Sequence, residues 1–353
     1  MKTLIVPCAG KSSRFEGLRP KWLLTHPDGK LMVAKAIEGL PLDKFGRIII
    51  TYVRPHDEEY DAGLILSQVF RGNPKISFCM LDGFTSSACE TVSLTLKKMR
   101  VSGPFTVKDS DNYVCIDLAE GPENSVAGVS LNSHPEISRV AEKSFLKTDE
   151  NNYLLDIVEK KVVSDIIGIG VYSFESAEVF EKAYAEMLKS PRKTGREMYI
   201  SDIISHMIAG GTRFLCRMAE EYEDWGTLSE WRKVQGRFRS YFVDVDGVLV
   251  KNCGKYGKVN WYNNKEILSD NFEVLRQLQR EGAQIIICTS RTEECRSALE
   301  EMLSAQDIHP HAIIMGVNHA MRVMINDFAP TNPYPSSMAV TLPRNGRLKD
   351  YLF

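Results

Sequence analysis

Two aspartates separated by one residue stand at the end of a strand-like run in YFVDVDGVLV (241–250). Asp244 and Asp246 follow apolar residues and precede Gly247 directly. Charged side chains are disfavoured inside buried strands unless something compensates them. Two carboxylates this close repel each other unless a cation lies between them or one is protonated. A Mg²⁺ ion, with its preference for oxygen ligands, satisfies this condition, so the pattern predicts a magnesium site.

A different pattern near the start of the chain is also typical of phosphate binding. In LIVPCAGKSSRFEGLRPKWLL (4–24) a strand leads into a loop of small residues, which lets backbone N–H groups approach a phosphate. Arg14 and Lys21 add positive charge where the anion would lie. The glycine spacing fits neither a Walker A loop nor a Rossmann fingerprint, so the loop predicts phosphate binding of another kind.

Composition restricts the remaining classes. The chain has 353 residues, 43% of them apolar and 25% charged, with a formal net charge of −2, and its length predicts two or three domains. A near-neutral chain creates no general field for nucleic acid, and no run approaches the roughly 18 apolar residues of a membrane span. The opening MKTLIVPCAG is too short for a signal peptide, so we expect a cytoplasmic protein. The eight cysteines form no C-x-x-C pair, which argues against zinc.

The elements that must position these residues follow an alternating pattern. Short β-rich runs alternate with helical stretches, which favours an α/β fold with a mostly parallel sheet. Strands are predicted at 3–7, 47–53, 75–81, 104–114 and, within 137–174, at three further segments; helices are predicted at 86–99, 176–188 and 198–209. Ser86 or Ser87 could cap the first of these helices.

The alternation of strands and helices begins again near residue 236, which predicts two abutting domains at 1–236 and 237–353. The second domain is expected to contain helices at 268–281 and 293–304 and strands at 241–250, 284–290, 312–316, 322–327 (RVMIND) and 338–343 (MAVTLP). There is neither a low-complexity linker nor an internal repeat. The sequence leaves the oligomeric state open, and a homo-oligomer is possible.

Three segments of the second domain resemble motifs of the haloacid dehalogenase superfamily of phosphohydrolases. DVDGVLV (244–250) resembles the first motif, IIICTSR (285–291) the second and VMINDFAP (323–330) the acidic fourth. The resemblance implies a small haloacid-dehalogenase-like Rossmannoid domain. We expect it to be capless, because only sixteen residues, 251–266, separate the first motif from the next helix.

That resemblance implies a Mg²⁺-dependent phosphatase. Asp244 is implied as the nucleophile that forms an aspartyl-phosphate, and Asp246 as the general acid/base. No lysine lies between residues 291 and 330 to serve as the family's third motif, so Arg322 is the candidate cation. The implied phosphate contacts are Thr289, Ser290 and Arg322, and the implied metal ligands are Asp244, Asp246 and Asp327.

The opening loop resembles the signature of sugar-phosphate nucleotidyltransferases, roughly A-G-x-G-x-R followed by P-K. Ser12 takes the place of the second glycine, a tolerable change if its φ stays negative. The resemblance implies a mixed-sheet, Rossmann-like domain in which Gly10 and Ser12 contact substrate. Arg14 would steady the leaving pyrophosphate, and Lys21 the α-phosphate.

Further segments follow in that family's order: TSSACETV (85–92), VKDSDNYV (107–114), VEKKVVS (158–164) and EDWGT (223–227). Taken singly, each also fits a turn, a solvated edge or a helix cap, and only their joint order favours the family. The implied metal ligands are Asp109, Asp111 and Asp224, and the implied substrate contacts are Glu159 with hydroxyl groups, Lys160 with the acceptor phosphate, and Ser86, Ser87 and Thr91 with the base.

Together the two resemblances imply a bifunctional enzyme. A nucleoside triphosphate would react with a sugar phosphate or similar phosphorylated alcohol, and a phosphatase domain would process a phosphomonoester. TSSACETV loosely resembles cytidylyltransferases, which favours CTP, and the fusion resembles enzymes of bacterial capsule precursor synthesis. Two alternatives stay open: a catalytically silent second domain, and a nucleotide-sugar glycosyltransferase as the first.

Overall fold

The computed structural model describes residues 2–189, 197–327 and 336–352. The chain divides into two compact units, Met1–Trp231 and Arg232–Phe353. Within the described ranges, no helix combines the length and the apolar character that a membrane crossing requires.

The first unit contains a large mixed sheet and a separate two-stranded ribbon. Its strands are β1 (Lys2–Pro7), β2 (Phe45–Val53), β3 (Ile76–Leu81), β4 (Phe105–Lys108), β5 (Asn112–Cys115), β6 (Ser125–Ser130), β7 (Ser144–Thr148), β8 (Leu154–Glu159), β9 (Ile166–Phe174), β10 (Leu215–Met218) and β11 (Glu221–Asp224). Its helices are α1 (Met32–Glu38), α2 (Arg54–Tyr60), α3 (Ala62–Val69), α4 (Ala88–Lys98), α5 (Ala177–Lys189), α6 (Ile200–Ala209) and α7 (Leu228–Arg237), the last of which ends beyond Trp231.

The sheet order is β10-β6-β9-β4-β1-β2-β3, with β7 paired to β9 and β8 paired to β7. β1 runs parallel to β2 and β4, whereas β9 is antiparallel to β4 and β6. Both faces of β1 are buried, with Leu4 and Val6 in one apolar cluster and Ile5 in another. A strand covered on both sides reads as a continuous apolar run, which explains TLIVP. The predicted mixed sheet is confirmed.

One predicted strand is divided in two. We expected a single strand over 104–114, but β4 ends at Lys108 and β5 begins at Asn112 in a separate two-stranded ribbon with β11. The ammonium group of Lys108 donates to the carbonyl of Asp109 at 2.7 Å and to that of Asn112 at 2.9 Å. These bonds close a turn between the strands, and the turn carries Asp109 and Asp111.

The second unit contains a smaller parallel sheet in the order β12-β13-β14. Its elements are β12 (Ser240–Val243), α8 (Ser269–Arg280), β13 (Gln284–Cys288), α9 (Arg296–Ala305), β14 (Ala312–Ile314) and α10 (Lys349–Leu352). Val243, Ile285 and Ile287 from the strands form an apolar core with Phe272 of α8 and Leu299 of α9. The two helices lie close to their predicted positions, and the first three predicted strands form but are shorter than expected: β12 ends at Val243 instead of reaching residue 250.

The strand predictions for RVMIND (322–327) and MAVTLP (338–343) are wrong, since neither segment forms a strand. A strand of the sheet would bury apolar side chains of these segments. Instead Val323 and Ile325 are 68% and 93% exposed, and Met338 is 70% exposed. The apolar burial that would compensate the ordering of a strand is therefore missing there.

Candidate functional site

The carboxylates of Asp111 and Asp224 converge at one end of the β5–β11 ribbon. Asp224 pairs with Asn112 in the antiparallel register, and the amide of Trp225 donates to the carbonyl of Asp111 at 2.9 Å. Gly226 lies between the two side chains. A Cβ atom on Gly226 would lie 3.1 Å from Asp224 Oδ1 and 3.2 Å from Asp111 Oδ2. The missing side chain thus leaves a small space that both carboxylates face.

Two lysines compensate these aspartates. The ammonium group of Lys21 donates to Asp111 Oδ2, and that of Lys143 donates to Asp224 Oδ2. Arg14 contributes a third cation, with Nη1 at 3.9 Å from the Cβ position that Gly226 lacks. Carboxylates with cations beside them are an arrangement that can stabilise charge developing on a phosphate.

Asp109 and Asp111 are electrostatically different although they are two residues apart. Burial, followed by repulsion from Asp111, raises the pKa of Asp109 to about 7. Burial also opposes ionisation of Asp111, but Lys21 and Arg14 outweigh it and lower the pKa of Asp111 to about 2. The carboxylate of Asp109 lies against Gly170, whose φ is 74° and whose Cβ would come within 2.4 Å of Asp109 Oδ2. Asp111 therefore ionises more readily than Asp109.

The loop after β1 provides open space for an anion. A Cβ on Gly10 would meet no atom within 4 Å, so no contact within the chain requires glycine there. Ser12 has φ 52° and ψ 34°, in the left-handed region. The condition that its φ stay negative is therefore not met. Its Oγ accepts from the amide of Lys21 at 3.2 Å, which ties the strained loop to the lysine that faces Asp111.

The serines expected to contact a base stabilise the start of α4. Ser87 caps the helix, because its Oγ accepts from the amide of Glu90 at 3.2 Å, and this confirms one of the two predicted caps. Ser86 donates through both its amide and its Oγ to Glu90 Oε2, at 2.6 Å each. Thr91 is buried and shares a hydrogen bond with Thr85. Base contacts by these residues stay a prediction.

A cleft of about 450 Å³ adjoins the opening loop. Lys11 and Ser12 line one side, and Phe84, which precedes α4, lines another. The Phe84 ring is 41% exposed and lies 5.9 Å from Lys11 Nζ. An exposed aromatic ring beside a phosphate-type loop fits a flat, anionic ligand.

Glu159 is the last residue of β8, and Lys160 follows it directly. Glu159 Oε2 accepts from the hydroxyls of Ser144 and Ser201, the latter at 2.8 Å. Lys160 has φ 56°, and its ammonium group donates to the Tyr199 hydroxyl at 2.7 Å. Glu159 is therefore fixed by two hydroxyl groups, whereas Lys160 points from an exposed turn.

Two carboxylates of the first unit are suited to bind a divalent cation. Among residues 2–189, 197–327 and 336–352, no three His, Cys, Asp or Glu side chains gather into a group that could hold an ion. Mg²⁺, however, commonly binds through only one or two carboxylates, together with water and substrate phosphates. The space at Gly226, faced by Asp111 and Asp224, meets that requirement.

In the second unit Asp244 and Asp246, which are separated by one residue, have different partners. Asp244 Oδ1 accepts from the amide of Val245 at 2.9 Å and from Arg322 Nη2 at 3.4 Å, and burial raises the pKa of Asp244. Asp246 is bound at both oxygens by Arg291, through Nε at 3.0 Å and Nη2 at 2.8 Å. The Arg291 side chain is 3% exposed, and its Nη1 donates to the carbonyl of Trp261.

The remaining predicted residues of this unit are only partly brought together. Thr289 is buried at the end of β13, where its Oγ1 accepts from the amide of Arg291 at 3.2 Å, and Ser290 follows it half-buried. Asp327 is exposed and does not form a metal-binding group with Asp244 and Asp246. The reason is that its segment is not a strand of the sheet. Residues 328–330 of the fourth motif lie outside the described residues.

Two contacts at these sites were not assigned from the sequence. Lys143 lies 81 residues from Asp224, and Arg291 lies 45 residues from Asp246. The local sequence does single out Arg291, because it is a charged residue directly after the apolar segment IIICTS. Nothing in the local sequence around Lys143 indicates its contact with Asp224.

Several solved structures share the fold of this chain. The nucleoside-diphosphate-sugar pyrophosphorylase from Vibrio cholerae RC9 gives a TM-score of 0.56 at 21% identity, over 65% of this chain and 98% of its own. The putative glucose-1-phosphate thymidylyltransferase from Bacillus anthracis gives 0.52 at 16% identity, over 66% and 93%. A UDP-glucose pyrophosphorylase complexed with UDP-glucose gives 0.50 at 17% identity, over 66% and 97%.

At these identities the likeness concerns the fold, and it covers about two thirds of the chain. No family model matches the chain, and no curated protein matches it in sequence. The chain therefore contains the mixed α/β fold of these pyrophosphorylases.

Proposed function

We propose that the first unit is a nucleotidyltransferase that joins a nucleoside monophosphate to a sugar phosphate or similar phosphorylated alcohol. One observation carries the proposal: Asp111 and Asp224 face a common space at Gly226, flanked by Lys21, on a fold shared with sugar-nucleotide pyrophosphorylases. Carboxylates that converge beside cations are suited to hold a metal ion against a polyphosphate.

The proposed reaction needs no covalent protein intermediate. An oxygen of the acceptor phosphate forms a bond to the α-phosphorus, and the bond from that phosphorus to the bridging oxygen breaks. Pyrophosphate leaves with the electron pair. Arg14 binds the leaving pyrophosphate, Lys21 the α-phosphate and Lys160 the attacking phosphate, while Glu159 orients hydroxyl groups of the acceptor. Asp111 and Asp224 would hold Mg²⁺, which would neutralise the charge that develops.

The proposed nucleotide is CTP, with Ser86, Ser87 and Thr91 near the base. The support is the likeness of TSSACETV to cytidylyltransferase sequences together with the position of this segment at the start of α4, next to the cleft that Phe84 lines. The proposed products are nucleotide-activated precursors of a surface polysaccharide, on the basis of the sequence resemblance.

The test is release of pyrophosphate from each of the four nucleoside triphosphates with Mg²⁺ and a panel of sugar phosphates. Asp111→Asn should lower the rate by about 10²- to 10³-fold, the usual effect of losing a group that stabilises transition-state charge. Asp117→Asn, which changes an exposed aspartate of the same unit, is the matched control and should leave it unchanged. No pyrophosphate from any pair, with activity that depends on a sugar nucleotide, would instead identify a glycosyltransferase.

For the second unit we propose hydrolysis of a phosphomonoester through an aspartyl-phosphate on Asp244. Val243 and Ile287 pair in parallel register, so Asp244 and Thr289 follow adjacent strands at the carboxyl edge of the sheet, where α/β proteins bind ligands. Asp244 is 35% exposed and has Arg322 beside it. The carboxylate would attack phosphorus and release the alcohol, to which Asp246 would give a proton, and water would then release phosphate.

The alternative is a catalytically silent unit, and one observation favours it. Arg291 takes both oxygens of Asp246, so this carboxylate is engaged in the conformation observed. Phosphate release by wild type and Asp244→Asn, measured over phosphomonoesters with Mg²⁺, separates the two. Equal release by both proteins rules out the nucleophile, and loss in the variant alone supports it.

A further inference from the structure

We propose that Lys143 is a resident counter-cation for Asp224, displaced when a divalent ion binds and then available to the acceptor phosphate. The inference rests on the proposed nucleotidyl transfer and assigns Lys143 a role in it. The observation behind it is the ion pair between Lys143 Nζ and Asp224 Oδ2 at the edge of the space that a metal ion would occupy.

The two oxygens of Asp224 have different partners. Oδ1 accepts from the amide of Gly226 at 2.9 Å, a bond that fixes the side chain within its own turn. Oδ2 is the oxygen that Lys143 takes. Oδ1 also faces the space at Gly226, so an ion that binds there through Oδ1 is repelled by the ammonium group, and an ion that uses Oδ2 has to displace it. The two side chains are 17% and 22% exposed, so the competition takes place where solvent screening is reduced.

The backbone places Lys143 beside the residue expected to bind the acceptor. Ser144 pairs with Glu159 across the β7–β8 hairpin, and the amide of Lys160 donates to the carbonyl of Lys143 at 2.9 Å. Lys143 and Lys160 are thus neighbours on one hairpin. When Lys143 leaves Asp224, the nearest anion expected by the mechanism is the acceptor phosphate.

Lysine is suited to such an exchange. Its ammonium group is a point charge on a flexible four-carbon stem, so it can leave one anion for another without moving the backbone. The Tyr222 hydroxyl, 3.5 Å from Lys143 Nζ, is its other polar neighbour among the described contacts. An exchanging cation and a purely structural ion pair predict opposite effects on metal affinity.

The test measures the binding of Mn²⁺ alone to the full chain, with the free ion monitored by electron paramagnetic resonance. Lys143→Met removes the competitor, so the dissociation constant for Mn²⁺ should fall about tenfold, the change that corresponds to one charge-assisted hydrogen bond. Lys143→Arg keeps the charge and should stay near wild type. Lys147→Met is the matched control, because it removes an exposed lysine from β7, the strand that Lys143 directly precedes.

A structural role gives a different result: Lys143→Met would then weaken Mn²⁺ binding or leave it unchanged, and the inference would be overturned. If Lys143→Met does not fold, as judged by circular dichroism, Lys143→Gln takes its place in the same assay. A second readout is the acceptor KM, which should rise in Lys143→Met while the KM for the triphosphate stays near wild type.

Asp224→Asn distinguishes failure of this inference from failure of the proposed function. If Asp224→Asn does not weaken Mn²⁺ binding, the metal site itself is absent and the proposed transfer mechanism fails with it. If Asp224→Asn weakens binding but Lys143→Met does not strengthen it, only the role of Lys143 is wrong.

Discussion

The two units compensate their aspartates in different ways. In the first, Asp111 and Asp224 each bind one lysine ammonium group, and the lysine side chains are 20% and 17% exposed. In the second, Asp246 is held by the guanidinium of Arg291, which is 3% exposed and donates to both oxygens. The first arrangement leaves coordination positions that an incoming ion can take, and the second closes them.

The difference follows from the chemistry of the two cations. Arginine presents a rigid, planar fork that matches a carboxylate, whereas lysine contributes a compact charge with rotatable donors. A buried arginine fork gives a fixed pair, and a partly exposed lysine gives an exchangeable one. The comparison favours the first unit as the place where a metal ion enters readily, and it can be tested by breaking each kind of pair.

The largest effect on stability is expected from Arg291→Met. Removing one partner of a buried ion pair leaves the other charge uncompensated, at a cost of about 3 to 5 kcal/mol. Asp246 would become that unpaired charge, since its side chain is only 15% exposed. Urea unfolding followed by circular dichroism should show the loss.

Arg296→Met is the matched control, because Arg296 pairs with the exposed Glu293 on the surface of the same unit. Such a pair contributes less than about 1 kcal/mol. In the double variant Asp246→Asn/Arg291→Met part of the lost stability should return. Equal destabilisation by Arg291→Met and Arg296→Met would mean that the second unit is not held by a fixed pair.

The second prediction concerns the open space in the first unit. In Gly226→Ala the new Cβ lies 3.1 and 3.2 Å from oxygens of Asp224 and Asp111, so it fills the space and pushes the carboxylates apart. A misplacement of about 1 Å in a reacting assembly can reduce the rate about 10²-fold, which is the upper limit expected here. Pyrophosphate release should fall by up to that factor, while the urea midpoint changes little.

Gly121→Ala provides the control, since a Cβ there would meet no atom within 4 Å. It should keep wild-type activity and stability. Full activity in Gly226→Ala would show that the space between the carboxylates is not where an ion or substrate lies. The difference between the two units would then have no bearing on metal binding.

Much of the fold could be predicted because apolar periodicity is a local property of the sequence. β1 and β13 were evident as uninterrupted apolar runs, and the helix predicted at 86–99 begins at Ala88 with the expected serine cap. The failures are equally instructive. The break between β4 and β5 depends on the two carbonyl groups to which the Lys108 ammonium group donates. The pattern of apolar residues does not predict these contacts.

The site was predictable only where chemistry coincides with a short motif. Asp111 and Asp224 stand in recognisable segments, and the structure brings them together. Lys143 and Arg291 escaped assignment because each meets its carboxylate across a long stretch of chain. Ser12 shows the converse error, since its residue type suggested a negative φ and the fold imposes a positive one.

The third prediction uses the opposite pKa shifts of the two units. The pKa of Asp111 is lowered to about 2, so its charge stabilises the fold above its unfolded pKa of about 4, and that stability is lost as pH falls toward 2. The pKa of Asp244 is raised by burial, so its charge destabilises the fold at neutral pH. Asp111→Asn should therefore destabilise at pH 7, by on the order of 2 kcal/mol, and Asp244→Asn should stabilise.

The measurement is urea unfolding of both variants and wild type between pH 3.5 and 7. The deficit of Asp111→Asn should shrink only below pH ~4, whereas the gain of Asp244→Asn should shrink as pH falls through the raised folded-state pKa and be gone by pH ~4. If both substitutions change the free energy of unfolding in the same direction at pH 7, the two carboxylates are not compensated differently.

The smallest effects are expected in the loops that follow the first strand of each unit. Ser12 (φ 52°) and Gly247 (φ 92°) both occupy the positive-φ region. Left-handed backbone costs a residue with a side chain about 1 to 2 kcal/mol. Gly247→Ser should destabilise by about that amount, since its Cβ would otherwise meet only ordinary contacts, the nearest at 3.4 Å from Arg344 Cγ.

Ser12→Gly should gain less than about 1 kcal/mol, because relief of strain is offset by the greater freedom of glycine in the unfolded chain. It also loses the hydrogen bond from the amide of Lys21. If urea unfolding shows unchanged or higher stability while pyrophosphate release falls, Ser12 is kept because its hydroxyl fixes the backbone of the lysine that faces Asp111. If activity and stability both rise, the serine is only a strained substitute for glycine, and the position of Lys21 must be set elsewhere.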